Sequence, residues 1–499
     1  MRKNLFVLAP VTLAMMFAVT SYASPSVRVS GSTVSVQEAL TDDMLAQVKD
    51  SVAKVSDPSR FGFALTKLTN DEFNKIIELY PDITTLNVSY GQRITSIASL
   101  AKLKKLTSLK LSEVSVSDFT PLSDLTQLQS ISITANAMTN LAWMQKLTQL
   151  RSLEINSSGL TDLKGIPSLP LLSRANVFKG APDDLTPLVE ALPNLTDLNL
   201  NYMRIKDLSP LAKLSKLKNL SLYGAEVVDF SPLAQVPALT KVDYYASKTG
   251  DFSALGKLTQ VKDLHGGLTK LDNISWLENL PNLESFQLFA EPISDYTPLT
   301  KTKLQKLKIW SMRNPVGDLA PVSQIPTLKE LIFWTVEGAS NSKSLGALKE
   351  LDKFELNTYN KKGGEPFDLS AAASWEKMRE LRINECVIVN PDGLAGLKNA
   401  TRVTMTKVTG PQDAPVSVAA LAKAPMLRSV DFGNSNITDL DKLAESPTIE
   451  NVSLTKVRGV SSVAALQKMP KLRALTVTKG AFPDAELAAF PSSVRVNQR

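Results

Sequence analysis

The chain contains one cysteine, Cys386, and one histidine, His265, among 499 residues. A single cysteine excludes an intrachain disulfide, and with it the cysteine-rich caps that brace many extracellular repeat proteins. A single histidine excludes a histidine-cluster metal site. Aromatic residues make up only 6% of the chain, so their placement carries information. No nucleophile elbow, phosphate loop or zinc-ligand spacing occurs. Together these gaps leave little for an enzyme, and no cofactor is implied. Apolar runs are also scarce. The one long run is Leu5 to Val19, shorter than the ~20 residues that span a bilayer.

That run follows Arg2 and Lys3 and precedes Ser21 and Ala23, the two small residues a signal peptidase reads. Residues 1–23 are therefore expected to be a secretory signal cleaved after Ala23, leaving a secreted or periplasmic chain without a transmembrane anchor. No cysteine follows the run, which excludes a bacterial lipoprotein. The net charge is +7, its lysines and arginines scattered rather than clustered, so nucleic acid is not an expected partner.

A repeat fills most of what remains. Leu195, Leu198, Leu200, Ile205, Leu208, Leu211 and Leu214 are followed by a restart at Leu217, a 22-residue unit with apolar residues at offsets 0, 3, 5, 10, 13, 16 and 19. The pattern begins at Ile83 and restarts through Leu472, predicting 18 strands, with 27-residue units at Leu351 and Ala400. Each unit buries its apolar set only against its neighbours. The predicted fold is an α/β leucine-rich-repeat solenoid, a horseshoe with a parallel concave β-sheet. The domain reading is signal 1–23, lead-in and helical N-terminal cap 24–82, repeat array 83–478, and C-terminal cap and tail 479–499. Within the cap, residues 24–35 read as a flexible or extended lead-in. Helices are expected over Val36–Val55 and Asn70–Leu79, and a short one over Asp484–Phe490.

Outside the strand, aspartate recurs at offset 12 (Asp118, Asp162, Asp184, Asp207, Asp229, Asp251, Asp295, Asp439) and proline at offset 15 (Pro121, Pro187, Pro210, Pro232, Pro298). A carboxylate ahead of a proline-led turn accepts backbone amides, so short 3₁₀ or α turns are expected on the convex side. A cation ladder is the other use of such aspartates. One carboxylate per rung falls short of the six to eight oxygens calcium takes.

The unit resembles the internalin-type leucine-rich repeat, on Leu195, Leu198, Leu200, Ile205, Asp207, Leu208, Ser209, Pro210, Leu211 and Leu214. The resemblance covers about residues 83–478 and implies a bacterial surface or secreted protein with a role in host interaction and virulence. Two features depart from it. Asparagine is usual at offset 8, as a buried hydrogen-bonding ladder, yet here only Asn136 fits, and Cys386 occupies that slot as a packing residue. No wall-sorting motif or further module follows the array, so a periplasmic or released Gram-negative protein is expected.

The positions that the repeat leaves free are the informative ones. Down offset 6, aromatics fall only between Phe178 and Trp334: Phe178, Tyr223, Tyr245, Phe289, Trp310 and Trp334, with Tyr202 beside them at offset 7. Exposed tyrosine and tryptophan are favoured at binding hot spots. His265, at offset 4 on the same predicted face, reads as a binding contact rather than a catalytic group. Two readings stay open: a partner-binding stripe, or rings that merely pack on adjacent rungs. Trp143 and Trp276, in the proline slot, read as convex packing residues. The expected function is recognition of a host or surface protein through the concave face. A glycan ligand and a periplasmic scaffold are the alternatives.

Overall fold

The computed structural model describes residues 25–499 apart from 183, 206, 228, 246–251, 268–270, 272, 290–292, 312–314 and 361–362. The expected signal segment and Asp251 lie outside the described residues. The chain forms two compact units. One comprises Met1–Leu160 with Lys164–Leu171, the other Thr161–Leu163 with Leu172–Arg499. Among the described residues no helix is long and apolar enough to cross a membrane.

In the first unit the sheet begins earlier than the periodicity suggests. β1 (Ser26–Ser30) and β2 (Thr33–Gln37) form an antiparallel hairpin. Its tight turn uses Gly31 at φ 59°, a conformation that costs a residue without a side chain little. β2 then pairs in parallel with β3 (Gly62–Thr66), which pairs with the strand Thr85–Ser89. The lead-in is thus extended and built into the sheet, with Val34 and Val36 fully buried. The first helix, α1, is shorter than expected at Asp42–Val52, because Val36 is committed to β2 and Thr41 caps the helix by accepting from the Met44 amide at 3.3 Å. α2 spans Asn70–Leu79 behind a capping box in which Thr69 and Glu72 satisfy each other's backbone amides. The Glu72 carboxylate also accepts from the Leu40 amide at 2.8 Å, tying the two helical segments together. Phe73, Ile76 and Ile77 are buried, whereas Leu79 is exposed.

The second unit repeats one arrangement. Parallel strands run in register from Arg174–Phe178 and Asp197–Asn199 onward, as in the pairs Leu198↔Leu220 and Leu220↔Val242. Across both units, each of the 18 restart positions carries a strand among the described residues. The periodic leucines form the core: Leu195, Leu198, Leu200, Ile205, Leu208, Leu211 and Leu214 are each at most 2% exposed. Most outer segments are 3₁₀ helices such as Ser209–Lys213 and Ser231–Gln235, with proline in the first turn. The offset-12 aspartates act as anticipated. Asp207 accepts from the Ser209 amide at 2.8 Å, Asp229 from Ser231 at 2.7 Å and Asp295 from Thr297 at 2.9 Å. Asp439 is different: its own backbone is left-handed (φ 63°) at the helix start, and its side chain makes no cap bond.

Two further features were not foreseen. Between residues 315 and 438 the segment after the corner is also extended. Pro315–Asp318, Phe367–Asp368 and Val416–Ser417 pair in parallel with residues of the following repeat. The β-branched residues there, such as Val316, Val387, Ile388 and Val389, favour that geometry. At the other end, the expected polar tail forms a last strand, Arg495–Gln498, beside Ala474–Val477.

The corner after each strand explains the missing asparagines. Offset 7 is left-handed in Lys179, Tyr202, Thr335, Thr358, Glu385, Lys407, Asn434 and Lys456, with φ from 51° to 66°. Each such residue costs roughly 1–2 kcal/mol of backbone strain. In return its amide donates to the next rung, as from Tyr202 to the Tyr223 carbonyl at 2.7 Å and from Asn434 to Thr455 at 2.7 Å. The bend also aims offset 8 inward, so Met203, Ala225, Cys386, Val408 and Ser435 are buried. Asn136 does not belong to a buried ladder. In its repeat Ala135 turns inward instead, Asn136 is exposed, and its amide oxygen accepts from Ser158 at 3.4 Å. Buried hydroxyls and one displaced asparagine take over the role. Ser435 donates to the Met405 carbonyl at 2.9 Å and accepts from the Val408 amide at 3.0 Å, while Asn360 pairs with both backbone groups of Ala339 at 3.1 and 2.8 Å.

Candidate functional site

The aromatic column of the second unit closes into a ladder. Tyr202 meets Tyr223 edge-on at 5.3 Å between ring centroids, and Tyr223 stacks on Tyr245 at 4.5 Å with the planes 1° apart. Tyr245 then meets Phe289 at 4.9 Å, Phe289 meets Trp310 at 3.8 Å, and Trp310 meets Trp334 at 5.2 Å, all three edge-on. Six of the seven predicted rings are thereby brought together. Phe178 is half-buried at the end of its strand, outside the ladder, with Asn201 at the offset-6 position of the next rung.

One rung contributes no ring, and its glycine lets the next rung close in. Strands stack about 4.8 Å apart, so Tyr245 and Phe289, two rungs apart, would stand near 10 Å from each other if upright. Gly267 occupies the intervening position at φ 152°, and a Cβ there would lie 2.1 Å from that of Phe289. At Gly266 a Cβ would lie 1.9 Å from the Tyr244 ring. Phe289 sits in the space Gly267 leaves empty, and the buried Tyr244 fills the one at Gly266 on the core side.

Exposure varies along the ladder. Its ends are open, with Tyr202 at 48% and Trp334 at 38%, and its middle is covered, with Phe289 at 7%. Burial pushes the Tyr223 phenol up to about 12, and the neighbouring Tyr202 hydroxyl adds to the shift. Trp334 donates its indole N–H to Glu355 at 3.3 Å. The indole nitrogen of Trp310 is shielded from water and has no acceptor among the described residues. Trp143 and Trp276 are buried, as the convex reading requires, and pack on Phe119 and Phe286.

His265 stands on the sheet face, half-buried. Its Nδ1 lies 3.1 Å from Asp243 Oδ1 and its Nε2 lies 3.1 Å from Ser285 Oγ. Reading the sequence overlooked both neighbours. The signal lay in the repeat itself: Asp243 and His265 share offset 4 in adjacent rungs, and Ser285 stands at offset 2 in the next. A shallow cleft of about 300 Å³ opens beside them, lined by Asp197, Asn219, Ser221, Lys241 and Asp243 among others. Cys386 is buried, with its thiol pushed up to about 12 by desolvation, which removes it as a nucleophile. Among the described residues no group of three histidine, cysteine or acidic side chains is placed to hold a metal ion.

The family profile Leucine Rich repeats (2 copies) matches residues 193–235. The chain has the leucine-rich-repeat fold. A Leptospira interrogans leucine-rich-repeat protein superposes with a TM-score of 0.51 at 15% identity, over 85% of this chain and 97% of that one. Mouse RP105, solved in complex with MD-1, gives 0.56 at 14% identity, over 88% and 78%. An internalin from Listeria monocytogenes shares 24% identity over 74% of this chain and 90% of its own, with a TM-score of 0.45. No curated protein sequence matches the chain. As a leucine-rich-repeat protein, it leaves the strand-end columns free to differ from rung to rung, and the ring ladder occupies one of these.

Proposed function

We propose that this leucine-rich-repeat chain is an exported bacterial binding protein that recognises a host or surface protein through the surface from Phe178 to Trp334. The continuous ring ladder carries this reading. Its rings are already immobilised by their neighbours, so docking costs them little rotamer freedom. Open ends at Tyr202 and Trp334 supply the two residue types most favoured at hot spots. His265 and the mixed polar residues of the sheet face supply hydrogen-bonding groups beside the rings.

The ladder also favours a protein over a glycan. Sugar rings stack on free aromatic faces, and the faces of Tyr223 and Tyr245 are turned to each other. What remains presented is largely ring edge. Binding of this kind needs no cofactor or metal and no catalysis. Export rests on the segment from Arg2 to Ala23, and a role in virulence rests on the likeness of the repeat to internalins.

The test is a comparison of the wild-type chain with Tyr202→Ala/Trp334→Ala as bait for host-cell and envelope extracts, alongside a glycan array. A protein captured by the wild type and lost with the variant, at unchanged circular dichroism, supports the proposal. Equal capture by both chains, or a glycan as the one ligand, refutes it.

A further inference from the structure

His265 is held at both ring nitrogens in a meaningful order. The carboxylate is on Nδ1 and the serine hydroxyl on Nε2, at 3.1 Å each. A carboxylate in that position fixes the imidazole tautomer, leaving Nε2 to accept the proton of the hydroxyl it faces. The repeat lattice builds the arrangement. Asp243 and His265 are register partners, and Ser285 lies two residues before Gln287, the register partner of His265. All three side chains stand on the solvent-facing side of the sheet, Asp243 and His265 with about 30% exposure, so a small molecule can reach the hydroxyl. The surrounding charges are Lys241, 3.5 Å from Asp243 Oδ2, with Asp263 and Lys306 on the strands to either side of Ser285.

We propose that Ser285 is an acyl-accepting serine, with His265 as its general base and Asp243 as a positioning residue. The acyl donor is an activated ester. Ser285 Oγ bonds to the ester carbonyl carbon as its proton moves to His265 Nε2. The bond from that carbon to the leaving oxygen then breaks, and the proton passes from Nε2 to the departing alkoxide. The products are an ester on Ser285 and a free alcohol. Water repeats the sequence to release the carboxylic acid. Lys306, the cationic register neighbour of Ser285, pairs with Glu330 at 3.9 Å and has to leave that carboxylate to meet charge on the carbonyl oxygen. The Ser285 amide donates to the Lys262 carbonyl at 2.9 Å and so is not free to join it. The missing amide donor slows acylation and deacylation alike, so the serine is expected to react slowly and only with strongly activated donors. This goes beyond the recognition role and does not depend on it.

The probe is a fluorophosphonate, which forms a phosphorus–oxygen bond to an activated serine and expels fluoride; p-nitrophenyl acetate serves as a second electrophile. Peptide mass spectrometry of the full-length native chain is expected to place the adduct on Ser285. It should be absent from Ser285→Ala and from the urea-unfolded chain. His265→Gln should label about 100-fold more slowly, the scale of a general base. Added imidazole should restore labelling to His265→Ala. Asp243→Asn should slow the reaction and Asp243→Glu retain it, a distinction that a merely structural role would not produce. No adduct on the native chain, an adduct elsewhere, or equal rates in wild type and a folded His265→Gln would overturn the proposal.

Discussion

Replacing Gly267 by alanine tests the reasoning behind the ladder most directly. The new Cβ would stand 2.1 Å from the Cβ of Phe289 and 2.6 Å from its carbonyl oxygen, so backbone must move as well as side chain. Overpacking of this kind costs about 1–3 kcal/mol. The φ of 152° lies in a region used almost only by glycine, and holding alanine there costs a further ~1–3 kcal/mol. Displacing Phe289 also removes its edge-on contact with Tyr245 at 4.9 Å, worth ~0.5–1.5 kcal/mol beyond burial. Relaxation absorbs part of the sum, so the expected loss is about 2–5 kcal/mol. Urea unfolding followed by tryptophan emission measures it, because Trp310 and Trp334 report from the same column. Near-UV circular dichroism should also change, since the Tyr245–Phe289–Trp310 geometry is disturbed. A loss below about 0.5 kcal/mol with an unaltered near-UV spectrum would refute the claim that the glycine gap lets the rings close.

Three further outcomes are expected. Ser435→Ala strands the Val408 amide and the Met405 carbonyl in the core, and should cost about 1–3 kcal/mol in urea unfolding, against little change for Thr455→Ser at the sheet edge. Hydrogen bonds from Ser209 hold the Asp207 carboxyl below the ordinary range. The folded chain therefore binds fewer protons there than the unfolded one, and the stabilisation is complete above the unfolded value and lost as pH falls through the folded value. Asp207→Asn, which keeps an acceptor oxygen, should flatten the acid limb of a thermal-melt series, and an unchanged slope would count against the capping role. Cys386 should resist maleimide in the native chain and react once urea unfolds it, as intact mass will show; fast native labelling would contradict its burial.

Much of the fold is legible in the leucines, because a residue buried at every offset of 3 and 5 has one geometry available. The aromatic column is legible for the same reason: once the strand is placed, Tyr223, Tyr245, Phe289, Trp310 and Trp334 must fall on one edge. What escaped the periodicity depends on contacts across rungs. Nothing in Ser435, or in Ser157, which is buried and donates to the Met138 carbonyl at 2.8 Å, marks a hydroxyl serving its neighbour's backbone. Nor does Gly267 announce that its emptiness is filled by Phe289 of the next rung. The β1–β2 hairpin was missed because its strands are short and rich in serine, with β1 mostly exposed. Asn136 misled because the type of residue matched the slot while the corner before it, Ala135, took a different path.

The ladder has a consequence for how the second unit opens. In a repeat protein stability is close to a sum of rung terms and nearest-neighbour terms, so melting can begin at any weak interface. Rings spanning the rungs from Tyr202 to Trp334 strengthen successive interfaces together, which favours that stretch opening as one cooperative block. Farther along, offset 6 holds Thr406, Gly433 and Thr455, and among the described residues no ring of that column braces one rung to the next, while the core pair Phe333–Phe354 and the added strands carry the bracing on to about residue 438. Amide exchange should therefore step down beyond Thr438, with the last rungs fraying singly while the braced stretch stays closed.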